Sequence, residues 1–91
     1  MTRVVEKELT IINELGMHAR AATRFVQVAN RFRSDIDVEK DGQEVNGKSI
    51  MGVLMLVAAQ GTRIKVRARG DDAEEAVAAL EDLVKNKFGE A

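Results

Sequence analysis

The chain has 91 residues, of which 45% are hydrophobic and 32% are charged, and its formal net charge is −1 at pH 7. This length predicts one small domain over residues 1–91, with a core too shallow to enclose a deep active site. The balanced charge gives no general attraction to nucleic acid or to an anionic membrane, and the absence of cysteine excludes disulfide scaffolds and thiolate metal sites.

The first third of the chain predicts a strand followed by a helix. β-branched residues are frequent between Val4 and about Ile12 and favour a strand, which Gly16 ends. Apolar residues then recur at helical spacing up to Phe32 and predict a helix with one buried stripe. The stripe consists of Ala22, Phe25, Val26, Ala29 and Phe32.

A hairpin and a short helix come next. Asp41-Gly42 is the dipeptide that a type I′ turn prefers, and it predicts a hairpin with strands at Ile36–Glu39 and Gln43–Val45. Ser49 then precedes an apolar segment that reaches about Val57. Because serine is a common N-terminal cap, we predict a short helix capped by Ser49.

The last third of the chain predicts an amphipathic strand and an amphipathic helix. Residues Thr62 to Arg69 alternate between apolar and basic side chains, as a half-buried strand does. Asp71 or Asp72 is then expected to cap a helix that reaches Phe88. The order βαββαβα predicts an α+β fold, an open-faced β-sandwich with one antiparallel sheet and all three helices on one side. Pattern alone allows more than one strand order.

The basic residues of the last strand have two interpretations. They are Arg63, Lys65, Arg67 and Arg69. A basic sheet surface can contact nucleic acid. The chain has only three phenylalanines and no tyrosine or tryptophan, however, so it has few aromatic side chains on which bases could stack. We therefore expect this row to be the solvated side of the sheet, paired with acidic residues of neighbouring strands, and we expect no nucleic-acid partner.

The only histidine, His18, lies between the first strand and the first helix. Its imidazole has a reference pKa of about 6.5, so near pH 7 it is largely neutral and nucleophilic. Backbone N–H groups at a helix start can hold an anion, and the guanidinium of Arg20 can chelate phosphate oxygens. The pattern is compatible with a histidine that carries a phosphoryl group, although its position alone is more typical of an ordinary residue near a helix start. A surface histidine or a weak helix cap would give the same local sequence, and Gly16 is equally typical of an ordinary turn.

Two segments resemble a known family. Residues 13–22, Asn-x-x-Gly-Met-His-Ala-Arg-x-Ala, resemble the active-site segment of HPr, the histidine-containing phosphocarrier of the bacterial phosphoenolpyruvate-dependent phosphotransferase system. Residues 45–54, Val-Asn-Gly-Lys-Ser-Ile-Met-Gly-Val-Leu, resemble the second signature of that family, around its regulatory serine. The element order also resembles that of HPr from about Val4 to Phe88. The resemblance implies an HPr-like fold with strand order 1-4-2-3.

One residue departs from the family pattern. The family usually has proline after the arginine, and this chain has Ala21 there. Alanine keeps the helix but lacks the fixed φ of proline, so we expect a looser entry into the helix.

The resemblance implies a carrier rather than an enzyme with turnover of its own. His18 would accept a phosphoryl group on Nδ1 from phosphorylated Enzyme I and pass it to an Enzyme IIA domain. The backbone N–H of Ala19 and the side chain of Arg20 would stabilise the phosphate. No cofactor is implied, and one histidine with scattered carboxylates lacks the spacing of a metal site.

The resemblance also implies regulation at Ser49, which an HPr kinase/phosphorylase would phosphorylate. The short helix carries more apolar groups than one buried stripe can hold, so we expect some of them to face solvent beside His18 as a docking surface. These groups are Ile50, Met51, Leu54 and Met55, and the basic rim would include Arg20 and Arg24, with Gln27 beside them.

Length, composition and the proposed chemistry lead to three further expectations. No apolar run is long enough for a bilayer span or resembles a secretory signal, so we expect a cytoplasmic protein without membrane insertion. A carrier that presents one site to successive partners is most simply a monomer. Two alternatives stay open: a regulatory module that acts by binding kinases or transcription regulators, and the nitrogen-related branch of the same family.

Overall fold

Four strands and three helices follow one another in the predicted order in the computed structural model, which describes residues 3–90. Residues 1, 2 and 91 of the predicted domain lie outside this part of the chain. The elements are β1 (Val4–Thr10), α1 (Ala19–Ala29), β2 (Asp35–Lys40), β3 (Gln43–Asn46), α2 (Ile50–Met55), β4 (Arg63–Arg69) and α3 (Ala73–Lys85), with a short turn at Lys87–Gly89 after α3.

The strands form one antiparallel sheet in the order β1-β4-β2-β3, which confirms the order that the resemblance implied. The alternation along β4 has the predicted effect, because one face of this strand is buried and the other is not. Arg69 makes no ion pair among residues 3–90. The other basic residues of β4 make the predicted cross-strand pairs: Arg63 with Glu8, Lys65 with Glu6, and Arg67 with both Glu6 and Glu44.

The core lies between the inner face of the sheet and the helices. Phe25 of α1 and Phe88 of the last turn are fully buried in it, together with Leu80 of α3 and Val53 of α2. Burying a side chain of this size contributes about 1.5–3 kcal/mol. Helix α1 contacts both α3 and the turn that follows it.

The first two elements are shorter than predicted. The β-branched run continues to Ile12, but strand β1 ends at Thr10, which pairs with Arg63 at the start of β4. Helix α1 ends at Ala29, three residues before Phe32. The side-chain amide of Asn30 donates to the carbonyl of Val26 at 3.0 Å and so satisfies an acceptor of the last turn.

The hairpin turn is of the predicted kind, because Asp41 and Gly42 both have positive φ, at 51° and 84°. Its strands each extend slightly beyond the predicted ends. Helix α2 stops at Met55 rather than at about Val57. The ammonium of Lys40 donates to the carbonyl of Val57 at 3.2 Å and thereby satisfies an acceptor beyond the helix end.

One expectation about α3 was wrong, and a second is confirmed only in the position of the cap. The helix ends at Lys85, and Phe88 reaches the core from the following turn with a φ of 56°. Asp72 is the N-cap residue but makes no side-chain cap. Its carboxylate instead accepts hydrogen bonds from Arg33 N at 2.8 Å and from Ser34 N at 3.0 Å, which tie down the loop after α1. The hydrogen bond from the Ser34 hydroxyl is the largest of the effects that hold the pKa of Asp72 below its ordinary value.

Candidate functional site

His18 is the N-cap of α1, and 27% of its side chain is exposed. Its backbone is extended, and its Nδ1 accepts a hydrogen bond from the backbone N–H of Arg20 at 3.3 Å. A nitrogen that accepts from an N–H group presents a lone pair, so Nδ1 is the unprotonated nitrogen of the neutral ring. The predicted acceptor atom therefore carries the lone pair that nucleophilic attack requires.

The loop before His18 is fixed to the segment that precedes β4. Met17 N donates to Ala58 O at 2.8 Å, and the side-chain amide of Asn13 donates to Gly16 O at 2.8 Å. Gly16 has a φ of 67°, and a Cβ there would lie 2.7 Å from Ala58 O and 2.9 Å from the Cα of Ala59. Glycine is thus required both by the backbone conformation and by the close approach of the second segment.

The other ring nitrogen of His18 contacts the end of the chain. Nε2 lies 2.5 Å from Oε2 of Glu90, and Oε1 of the same carboxylate accepts from the Asn13 amide at 3.1 Å. The hydrogen bonds from His18 and then from Asn13 hold the pKa of Glu90 below its ordinary value. We did not predict this contact, and no local pattern could have indicated it because 72 positions separate the two residues.

Arg20 and Ala19 occupy the first turn of α1, and both are exposed. The Arg20 guanidinium makes no hydrogen bond or ion pair with any residue of 3–90, and no acidic residue lies in the first turn of α1. The helix start therefore offers backbone N–H groups and a free cation to an incoming anion.

An apolar depression of about 240 Å³ adjoins His18. Leu15 and Met17 of the His18 loop line it, together with Leu54 of α2 and Val57 just beyond that helix. Leu54, predicted for the docking surface, is only partly exposed and packs against the core.

Large apolar side chains are exposed on α2 and in the two segments that line the depression. Met51, Met55 and Ile50 are exposed as predicted, with Met51 73% exposed. Leu15 and Val57 are also exposed, although we did not predict them as part of this surface. Leu15 lies in the loop before His18, and Val57 lies beyond the end of α2. We name the five residues Leu15, Ile50, Met51, Met55 and Val57 the apolar patch.

The remaining residues predicted to border this surface lie on α1. Gln27 is exposed. The guanidinium of Arg24 donates to the carbonyl of Phe88, so it is bound to the last turn of the chain, where it also lines a groove between α1 and α3. Arg24 therefore faces the Glu90 side of His18.

Ser49 has the predicted capping role, because its Oγ accepts a hydrogen bond from Gly52 N at 3.0 Å at the start of α2. The residue is partly exposed, and it immediately precedes Ile50 of the apolar patch. Among residues 3–90, no cluster of three or more histidine, cysteine or acidic side chains is arranged to hold a metal ion. None of the helices in that range has the length and apolar character needed to cross a membrane.

The chain is similar to known proteins over most of its length. A family described as "PTS HPr component phosphorylation site" matches residues 5–86. The phosphocarrier protein HPr of Xylella fastidiosa is 48% identical over 87 residues, which cover 96% of this chain and 98% of that protein.

Solved structures give the same result. The crystal structure of HPr-C-His from Thermoanaerobacter tengcongensis superposes with a TM-score of 0.92 at 52% identity and covers 96% of this chain and 98% of that one. Crh, the Bacillus subtilis catabolite repression protein, was solved as a domain-swapped dimer. It has a TM-score of 0.74 at 42% identity, and the match covers 91% of this chain and 95% of Crh.

Proposed function

Since the chain belongs to the HPr family of phosphocarrier proteins of the phosphotransferase system, we propose that it carries a phosphoryl group on Nδ1 of His18. The donor is phosphorylated Enzyme I, and the acceptor is a histidine of an Enzyme IIA domain. The observation that carries this proposal is the ring geometry, because the lone pair of Nδ1 points to the N-terminus of α1 while Nε2 is engaged elsewhere.

The transfer is an exchange of one N–P bond for another. The bond between phosphorus and the donor imidazole breaks, and a bond between phosphorus and Nδ1 of His18 forms, while the hydrogen on Nε2 stays in place. During the reaction the Arg20 N–H is released from Nδ1 and becomes available to a phosphoryl oxygen, as is the Ala19 N–H. Such a step depends mainly on positioning and on charge stabilisation, which the helix start and the Arg20 guanidinium supply.

The apolar patch is the proposed docking surface for Enzyme I and the acceptors. Exposed methionines suit a surface that must accept several partners in turn. A Met51→Glu variant should raise the KM of Enzyme I for this protein, whereas Gln43→Glu, at an exposed position of β3, should not. Equal KM values for the two variants would contradict this assignment. The same role favours a cytoplasmic location and a monomer. Light scattering on the purified chain tests the oligomeric state.

The central experiment is intact-mass measurement after incubation with phosphoenolpyruvate and catalytic Enzyme I. We expect a gain of one acid-labile phosphoryl group, lost in His18→Ala, whose circular dichroism spectrum should remain that of a folded protein. Ser49→Ala serves as the matched control and should label fully. An acid-labile label that persists in His18→Ala would refute the site, because the chain has no other histidine.

Regulation through Ser49 is the second candidate function. It is supported by the position of Ser49 beside the apolar patch and by the likeness to Crh, a catabolite repression protein. A phosphate on Ser49 would lie at the start of α2 and would place negative charge next to the docking surface. HPr kinase/phosphorylase with ATP should give an acid-stable label that Ser49→Ala lacks, and Ser49→Asp should bind Enzyme I more weakly. Labelling of Ser49→Ala would exclude this residue.

A further inference from the structure

The Glu90 carboxylate uses both of its oxygens at the site. Oε2 lies 2.5 Å from Nε2 of His18, and Oε1 accepts from the Asn13 amide at 3.1 Å. Asn13 is buried and also donates to Gly16 O, so the residue that orients the carboxylate is itself part of the rigid loop. The carboxylate therefore accepts one hydrogen bond from the loop and one from the ring, and it links the two.

The two ring contacts of His18 require the same protonation state. Nδ1 accepts from Arg20 N–H, so in the neutral ring the hydrogen is on Nε2. Nε2–H can then donate to the acceptor that lies opposite it, the Glu90 carboxylate. The contact with Glu90 therefore stabilises the tautomer in which Nδ1 is the nucleophile.

The last turn of the chain is held in the conformation that delivers Glu90. Lys87, Phe88 and Gly89 all have positive φ, at 55°, 56° and 79°. Such a conformation is uncommon for a bulky residue and persists only where the surroundings impose it. Here the Phe88 side chain is fully buried, and its carbonyl accepts from the Arg24 guanidinium. Core packing and this hydrogen bond thus fix the turn from which Glu90 reaches His18.

We propose, on the basis of the function proposed above, that Glu90 is a positioning residue for phosphoryl transfer at His18. It holds the ring with the unprotonated Nδ1 at the start of α1, and its charge compensates the positive charge that the ring acquires as the Nδ1–P bond forms. The hydrogen on Nε2 is shared with the carboxylate throughout and is not lost to solvent. Because the ring is neutral before the reaction and cationic as the bond forms, the contact is stronger in the transition state than in the ground state and accelerates the transfer.

The chain offers a matched control for this role. Glu81 is also a shielded carboxylate, with 16% of its side chain exposed against 18% for Glu90, and it also has two side-chain partners, Lys7 and Lys85. It lies on α3 and does not contact His18. Glu90→Gln and Glu81→Gln therefore remove the same charge from similar environments, and only the first removes it from the ring.

Two measurements test the proposal. The initial rate of phosphorylation by Enzyme I should fall about tenfold in Glu90→Gln, since hydrogen bonds to charged groups and outer partners of functional histidines have effects of this order. The ¹⁵N chemical shifts of the His18 ring in the unphosphorylated protein should change in Glu90→Gln. Both readouts should match the wild type in Glu81→Gln.

The results that would contradict the role of Glu90 can be told apart from a result that would contradict the proposed function. Transfer at the wild-type rate in Glu90→Gln, or slowed transfer with unchanged ring shifts, would overturn the role of Glu90. An equal rate loss in Glu81→Gln would also overturn it, because the effect would then be one of general charge. Failure of the wild-type chain to label at His18 would instead refute the proposed function itself.

Discussion

Replacing Gly16 with alanine tests whether the loop that presents His18 is fixed by close packing. Gly16 has a φ of 67°, and the left-handed region costs an alanine about 1–2 kcal/mol. The added Cβ would also lie 2.7 Å from Ala58 O, a backbone atom that cannot move aside without displacing its segment. Forcing extra volume into a packed site costs about 1–3 kcal/mol more. The total loss of unfolding free energy is therefore about 2–5 kcal/mol.

The Gly42→Ala variant separates the cost of the backbone conformation from the cost of packing. Its φ is 84°, but a Cβ there would meet nothing within 4 Å. Gly42→Ala should therefore lose only the conformational part, about 1–2 kcal/mol. The effect of the substitution on the unfolded chain is the same for both variants and cancels in the comparison. The difference between them, about 1–3 kcal/mol, measures the packing of the His18 loop against the segment before β4.

Urea unfolding followed by far-ultraviolet circular dichroism suits this comparison, because the chain has no tryptophan or tyrosine to report by fluorescence. Equal destabilisation of Gly16→Ala and Gly42→Ala would refute the argument, since it would mean that the loop yields to the new methyl group at no cost. A larger loss in Gly16→Ala with an unchanged m value would support it.

Three further predictions concern the site and its surroundings. Arg20→Ala should slow phosphorylation by Enzyme I about a hundredfold in initial-rate assays but leave some transfer, because the backbone N–H groups remain. Ser49→Ala should lower the unfolding free energy by about 1 kcal/mol in urea titrations, because it removes the cap of α2. Asp72, Glu81 and Glu90 have lowered pKa values in the folded state, so the stability they contribute is complete above their ordinary pKa values of 3.8 and 4.5 and is lost as the pH falls below them. Urea midpoints should therefore decline from about pH 5 downward, and a midpoint that rises on acidification would contradict these shifts.

Features set by neighbours in sequence could be predicted. The apolar and basic alternation of β4 depends only on the two-residue period of a strand, and it correctly assigned the buried and the ion-paired faces. The turn at Asp41-Gly42 follows from two adjacent residues that tolerate positive φ. The position of His18 at the start of α1 could be predicted for the same reason, because a cap residue immediately precedes its helix in sequence. The strand order, in contrast, came from the resemblance, since the pattern alone was compatible with others.

Features set by distant contacts could not be predicted. Asp72 looks like a helix cap, yet its carboxylate binds the loop at Arg33 and Ser34, which are brought to it by the fold. Phe88 fits the apolar period of α3, but it fills the core from a turn of positive φ after the helix has ended. The same turn places Glu90 against His18, a contact between residues 72 positions apart. The apolar period of a segment predicts its secondary structure, but it does not show which distant segment packs against it.

The orientation of the His18 ring illustrates the difference between local and distant contacts. Ala21 replaces the proline that the family usually has, and a helix entry without that proline is expected to be looser. In the folded chain Ala21 is fully buried, the loop before it is bound to Ala58, and the imidazole is held at both nitrogens. Tertiary contacts thus supply the restraint that proline would provide locally. The orientation of His18 should accordingly depend more on the segment before β4 and on the last turn than on the residue at position 21.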